Sequence, residues 1–370
     1  MDTAAELEIF LVAPPGLEAP LRAEAMERGF AGATAGEGGV TIKGSWPDAW
    51  RANLELRGAS RVLVRIASFR AMHLAQLDKR ARKVAWGEIL RADMPVHVEA
   101  TCRRSKIYHS GAAAQRIATA IGEELGAPIS AEAEVVVKAR IEDDLVTISI
   151  DSSGEMLHKR GHKEAVNRAP MRETLAALFL RQAGYDGTGP VFDPMCGSGT
   201  FAIEAAEIAA GLKPGRDREF AFEQLANFDA AAWRKMRTAS PHSSPAARFY
   251  GSDRDPGAVR MAKANAERAG VAEWVTFAEA DIADVVPPEG PAGLVIINPP
   301  YGTRIGERGA MGPLYRAMGR SLSRFTGWRV ALITTEAALA KATGLPFQAP
   351  LPSVSHGGIR VSLFLTDPLK

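Results

Sequence analysis

The chain has 370 residues, 46% of them hydrophobic and 24% charged, with a formal net charge of +2. That length exceeds one ordinary core and implies two or three domains, and the composition excludes disordered and fibrous classes. With the charge so near zero, any affinity for nucleic acid has to come from local clusters of base.

No apolar stretch reaches the roughly 20 residues of a spanning helix, and the opening MDTAAELEIF carries acids where a secretory signal carries bases. A cytoplasmic protein with no membrane partner is expected. The two cysteines, Cys102 and Cys196, lie far apart and form no CxxC pair, so neither a disulfide framework nor a metal site is expected.

In chain order, EIFLVAPPGLEAPLRAEAMERGF reads as a strand, a turn at Pro14-Pro15-Gly16 and an amphipathic helix ending near Gly29, with GGVTIKG as a second strand. A helix from about Trp46 to Leu56 and the strand RVLVRIASF close an amino-terminal α+β, ferredoxin-like domain over residues 1–70. LDKRARKVAWGEIL then reads as one basic helix. VHVEATCRRSKIYHSGAAAQRIATAIGEEL reads as strand, basic connector and helix, and EVVVKARIEDD with LVTISIDSS as a strand pair, giving a second domain over 71–155. From 156 to 370 helices alternate with short apolar strands, the pattern of a parallel, doubly wound α/β sheet of Rossmann-like type. Its expected strands are GPVFDP, ARFYGSD, EWVTFAEAD, AGLVIINP, WRVALIT and, closing the edge, IRVSLFLTD. A polar, Pro-rich stretch at 211–247 interrupts the alternation as an excursion beside the sheet. The oligomeric state is set by no feature of the sequence.

Chemistry concentrates in VFDPMCGSGTFAIEAAEIAA. A strand ends at Asp193, Gly197 and Gly199 form a tight turn, and a helix starts near Thr200, so backbone can approach a ligand closely. The spacing is GxG and not GxGxxG, and an acid before the loop repels phosphate but suits a cation or amine. The sulfonium and α-amino groups of S-adenosylmethionine meet that requirement. Asp253, after the next strand, can accept from a ribose diol, Asp281 after the third from an adenine amine, and Asp255 reads as a helix N-cap before Pro256.

At IINPPYG an apolar strand ends in two residues that lack an amide proton. Asn298 and the Pro299 carbonyl, held in a rigid turn with Pro300, can accept from an exocyclic amine, and Tyr301 can stack on the base that carries it. Ligands of doubly wound sheets sit beyond the carboxyl ends of the strands, where Asp193, Asp253, Asp281 and Asn298 all fall. Such a site works by positioning and electrostatics, without a covalent intermediate.

FDPMCGSGT together with INPPYG resembles the class I S-adenosylmethionine-dependent methyltransferases of exocyclic amines. LHKRGHKEAVNRAPMRETLAALFL looks like the cofactor-side helix that leads into their domain. Along nearly its whole length the chain resembles the THUMP-domain guanine-N2 methyltransferases of bacterial large-subunit ribosomal RNA, with CRRSKIYHSGAAAQRIATAI similar to the second half of a THUMP domain. That resemblance implies S-adenosylmethionine as cofactor, bound by Asp193, Pro194, Met195, Cys196, Gly197, Ser198, Gly199 and Thr200. Asp253 and Arg254 would lie at the ribose, Asp281 and Ile282 at the adenine, and Asn298, Pro299, Pro300 and Tyr301 at the target base.

It also implies RNA as partner. Lys79, Arg80, Arg82 and Lys83 on one helical stretch, and Arg103, Arg104, Lys106, His109 and Arg116 on the connector and helix that follow, suit phosphate contacts. Arg160, His162, Lys163 and Arg168 can continue this track, with Arg168 alternatively in the cofactor pocket. Cys196, with no base beside it, reads as a packed residue and not a nucleophile. Glu204 reads by default as a helix-surface acid, with the amino end of methionine as the alternative. His158 and His162 read as RNA-side or structural. The expected reaction is methyl transfer to guanine N2, in 23S ribosomal RNA before transfer RNA. Adenine-N6 or glutamine-amide methylation and a non-catalytic binding protein are the alternatives.

Overall fold

The computed structural model describes residues 6–163, 171–239, 242–301 and 308–370, with 308–310 as backbone only. Arg168 lies outside the described residues. The elements in order are β1 (Leu7–Val12), α1 (Glu18–Glu27), β2 (Thr34–Gly36), β3 (Gly39–Gly44), α2 (Trp46–Glu55), β4 (Arg61–Arg70), α3 (Leu74–Ala81), β5 (Val96–Arg103), α4 (Ser110–Leu125), β6 (Val135–Glu142) and β7 (Leu145–Asp151). There follow α5 (Glu173–Gln182), β8 (Val191–Asp193), α6 (Thr200–Ala209), α7 (Ala230–Thr238), β9 (Phe249–Asp253), α8 (Pro256–Arg268), β10 (Val275–Glu279), β11 (Leu294–Ile297), α9 (Arg308–Leu322), β12 (Arg329–Thr334), α10 (Ala337–Ala342), β13 (Val354–His356) and β14 (Ile359–Leu365). The chain divides into two compact units, one of residues 1–13, 22–157 and 218–239, the other of 14–21, 158–217 and 240–370.

In the first unit all strands join one sheet of order β2-β3-β1-β4-β7-β6-β5. Strands from 1–70 and from 71–155 share a ladder, β4 pairing with β7 from Leu63↔Asp151 to Arg70↔Leu145. Period-two burial along β6 and β4 sets which face is apolar. α2 brings Trp50 and Leu54 into the core, and α4 brings Ile117 and Ile121. The sequence SWPD starts α2 for a local reason: the Ser45 N–H donates to Asp48 Oδ2 at 2.9 Å, closing a capping box behind Pro47.

Two expectations are corrected here. The expected single helix of LDKRARKVAWGEIL stops at Ala81. Buried Trp86 turns its indole N–H onto the Ala81 carbonyl at 2.9 Å, and a separate 3-10 turn follows at Trp86–Glu88. The middle of the 211–247 excursion groups with the first unit and not with the second. Phe222 stacks on Trp50 at 5.7 Å between centroids, Trp233 meets Phe222 edge-on at 4.9 Å, and the Phe222 N–H donates to the Ser152 carbonyl at 3.1 Å. An aromatic cluster holds that segment.

The second unit carries a sheet of order β10-β9-β8-β11-β12-β14-β13. The five strands β10 to β12 are parallel, and β14 and β13 are antiparallel additions. All six expected strands form, but β14 does not close the edge, because the three-residue β13 pairs beyond it. Phe192, Val295, Ile297, Tyr315, Phe325, Trp328 and Leu332 pack into the core of this unit, with Phe192 stacked on Phe325 at 5.8 Å. The order β10-β9-β8 runs one way from β8, and the chain then crosses back to β11 and β12. This leaves a topological switch point between β8 and β11.

Candidate active site

The carboxyl ends of β10, β9, β8 and β11 stand side by side. Asp193 ends β8 opposite Gly251, Asp253 ends β9 opposite Glu279, Asp281 follows β10, and Asn298 follows Ile297, the last residue of β11. The sequence-predicted tips thus share one end of one sheet, with Asp193 and Asn298 on the two strands that flank the switch point.

The loop after β8 is fixed by backbone contacts. The Met195 N–H donates to Asp193 Oδ1 at 3.1 Å, the Cys196 N–H to the Ser252 carbonyl at 2.9 Å, and the Gly197 N–H to Asp253 Oδ2 at 3.0 Å. Its two glycines serve different ends. Gly199 (φ +85) is held by packing, since a Cβ there would lie 2.8 Å from Phe277 and 3.0 Å from Ala262. Gly197 (φ +52) faces open space, with nothing within 4 Å of an added Cβ, so backbone is exposed where a ligand can approach.

Asp193 is 3% exposed, and burial, with Asp253 nearby, pushes its carboxyl up to about 8 despite the Met195 N–H that lowers it. Among the described residues no cation pairs with it. A buried acid lacking a counter-charge at a glycine loop is the donor set that an ammonium or sulfonium ligand would complete. This fits the cofactor expected from the sequence.

Asp253 keeps lone pairs beyond its bonds to the N–H groups of Gly197 and Asp255, the latter at 3.0 Å. Asp255 is the N-cap of α8, accepting from the Gly257 N–H at 2.8 Å, as expected. Asp281 is exposed and accepts from the Ala283 N–H at 2.9 Å, and Arg254 is exposed. Ile282 belongs to the hydrophobic core, its carbonyl accepting from Ser321 Oγ at 2.6 Å. Pro194, Ser198 and Thr200 are buried, and the Ser198 carbonyl accepts from Asn265 Nδ2 at 3.0 Å. Cys196 is 6% exposed, and burial, then Asp193 and Asp253, push its thiol well above the ordinary range. It is a packed thiol, unsuited to attack.

At the other flank Pro299 is buried and Pro300 exposed, and Tyr301 donates its hydroxyl to the Asn298 amide oxygen. Burial raises the Tyr301 phenol far above its usual range, so it stays a donor.

Residues 158–163 behave differently from the expected RNA track. Arg160 is 2% exposed and pairs with Glu204 at 3.3 Å. His162 is buried, and Lys163 reaches Thr200 Oγ1 at 2.9 Å, the Met171 carbonyl at 2.8 Å and Glu173 at 3.1 Å. His158 is held neutral, pushed down to about 4 by burial and then by surrounding cations. Glu204, expected on a helix surface, is 1% exposed. The apolar run TFAIEAAEIAA, hydrophobic on all sides of α6, was the available signal that its acids are buried. Arg160 and Lys163 contact α6 through Glu204 and Thr200, and Arg160 and His162 are buried.

In the first unit Lys79, Arg80, Lys83, Lys106 and Arg116 are exposed. Arg82 instead pairs with Asp78, Glu123 and Glu124, Arg103 with Glu37 and Glu142, and Arg104 with Glu142 and Asp143. His109 is the N-cap of α4, its Nδ1 accepting from the Ala112 N–H at 3.0 Å. The expected cluster of nine therefore includes three internally neutralised arginines and one capping histidine. Among the described residues no group of three or more His, Cys, Asp or Glu is arranged to hold a metal ion, and no helix is long and apolar enough to cross a membrane.

Residues 160–349 match the model of the RMKL-like methyltransferase domain, and residues 8–63 that of the RlmL ferredoxin-like domain. The chain is 31% identical over 366 residues to a Synechocystis protein named "Putative RNA methyltransferase slr0064", covering 96% of this chain and 95% of that one. It is 36% identical over 364 residues to the ribosomal RNA large subunit methyltransferase K/L of Syntrophotalea carbinolica, covering 92% of this chain but 51% of that protein, so it spans about half the length of that relative. The solved structure of SMU.472, a methyltransferase-like protein complexed with SAH, superposes with a TM-score of 0.89 over the whole of both chains at 24% identity, which establishes the shared fold. With a glycine loop after β8 and an Asn-Pro-Pro-Tyr segment after the adjacent parallel β11, the chain belongs to the RMKL-like methyltransferase family.

Proposed function

We propose that the chain transfers a methyl group from S-adenosylmethionine to the exocyclic N2 amine of a guanine in RNA, with large-subunit ribosomal RNA as the favoured substrate. One observation carries this reading: the unpaired buried Asp193 and the acceptor pair of Asn298 and Pro299 end the two strands that border the switch point. The relatives named for RNA and for large-subunit RNA support the choice of substrate.

The donor supplies an electrophilic methyl group: the amine nitrogen bonds to that carbon as its bond to sulfur breaks, a neutral thioether leaves, and one amine proton passes to water. Asp193 holds the positive end of the donor, and the Gly197 backbone leaves it room. Asp253 and Asp281 accept from the ribose and the adenine. The Asn298 amide oxygen and the Pro299 carbonyl accept the two amine protons of the target base and so aim the nitrogen lone pair, while Tyr301 covers the face of the ring. Catalysis is then positioning in a site built beforehand, and no side chain forms a bond to the base. The base has to be unpaired or flipped out to reach this turn.

Incubating the protein and isotopically labelled S-adenosylmethionine with ribosomal RNA from cells lacking the gene, followed by digestion to nucleosides, tests the assignment. Labelled N2-methylguanosine is expected, and labelled N6-methyladenosine in its place overturns the choice of base. Asn298→Ala should keep donor affinity within about threefold and lower turnover by about 100-fold or more, as loss of a positioned acceptor does. Undiminished turnover refutes the role of Asn298.

A further inference from the structure

We propose that Tyr108 is a stacking platform for an unpaired nucleobase, so that the amino-terminal unit grips a single-stranded stretch of the substrate as well as its phosphates; this rests on the reading of the chain as an RNA methyltransferase. Tyr108 is 84% exposed, the most exposed large hydrophobic side chain among the described residues. Its ring makes no hydrogen bond and no aromatic contact among them.

The backbone that presents the ring is tied down on both sides. Ile107 is 4% exposed, and His109 caps α4 through the Ala112 N–H. Upstream, the Lys106 N–H donates to Asp144 Oδ1 at 2.8 Å, and Ser105 Oγ accepts from the Asp144 N–H at 3.1 Å and donates to the Arg103 carbonyl at 2.8 Å. The aromatic face is therefore displayed from an ordered pedestal and loses little freedom on binding.

The surroundings favour a polyanion with free π-faces. Among the described residues the Lys106 ammonium pairs with no carboxylate; it lies 3.7 Å from the sulfur of Met72, itself 46% exposed. RRSKIYHSGAAAQR, residues 103–116, contains no acid. Arg103 and Arg104 pair with neighbouring carboxylates and Asp144 Oδ1 is taken by the Lys106 N–H, so the groups beside the ring that a ligand can meet include the Met72 thioether and the Lys106 ammonium. Paired bases hide their faces within the stack, whereas an unpaired base offers one to an aromatic ring, with a cation alongside for its phosphate.

The test uses the full chain and, as probe, a single-stranded oligouridylate with one internal 2-aminopurine, alone and annealed to its complement. Wild type should bind the single strand and quench the 2-aminopurine; Tyr108→Ala should bind it about 10-fold more weakly without quenching, while Tyr108→Phe and Tyr108→Trp keep both. Duplex affinity should change by less than about twofold in Tyr108→Ala, and Lys106→Ala should weaken both probes and lower the salt slope by about one. Wild-type affinity in Tyr108→Ala, or equal losses for single strand and duplex, overturns the proposal. If that outcome comes from a chain that still methylates RNA, the parent reading stands. If wild type binds neither probe and methylates no RNA, both fail together.

Discussion

Asp193 makes donor binding a proton-release reaction. In the ligand-free chain its carboxyl is held up to about 8 by burial, so near neutrality it is mostly protonated. A cationic ligand selects the ionised form. At pH 7 giving up that proton costs about 1.4 kcal/mol, and the cost grows by the same amount for each unit of acidification. The affinity for S-adenosylmethionine should therefore be about 20-fold weaker at about pH 6 than at about pH 7.5, a window in which the ligand's sulfonium charge does not titrate. Isothermal titration calorimetry in two buffers of unlike ionisation enthalpy reads both quantities, and about 0.9 proton should leave per ligand bound at pH 7. Asp193→Asn should bind weakly and with no such dependence. A flat affinity across the window, or the same slope in Asp193→Asn, would refute the pairing of Asp193 with the cationic end of the donor.

Other outcomes follow from the same geometry. Because the folded-state value of Asp193 lies above that of an unfolded carboxyl, the ligand-free chain should lose stability as the pH climbs from about 4 towards 8, and Asp193→Asn should lose less over that range in urea titrations. Gly199→Ala forces a Cβ against Phe277 and Ala262 at φ +85 and should cost about 3 kcal/mol by denaturation, whereas Gly197→Ala, open on that side, should cost about 1 kcal/mol yet weaken donor binding by about 10-fold or more. Glu204→Ala removes a carboxylate that pairs with the buried Arg160 guanidinium at 3.3 Å and should destabilise by about 3 kcal/mol in the same assay. Replacing Lys79, Arg80 and Lys83 together by Ala should lower the salt slope of RNA binding by about two, while Arg103→Ala, already neutralised by Glu37 and Glu142, should change it by less than about half a unit.

What the chain sequence by itself determined was local and periodic. Alternating helices and apolar strands implied a doubly wound sheet, and because parallel strands all point one way, residues that end them, Asp193, Asp253 and Asn298, had to gather at one end. Gly197 and Gly199, and the prolines after Asn298, act through their own backbone restrictions, which are legible without neighbours. The tertiary structure alone decided the pairings. Whether Arg103, Arg104 and Arg82 face phosphate or carboxylate depends on where Glu142, Asp143, Glu123 and Glu124 arrive from distant strands and helices. Arg160 finds Glu204 because two segments 44 residues apart meet, a pairing that neither segment's own sequence specifies. The aromatic segment around Phe222 joins the first unit because Trp50 waits there, a contact between residues that no local pattern connects.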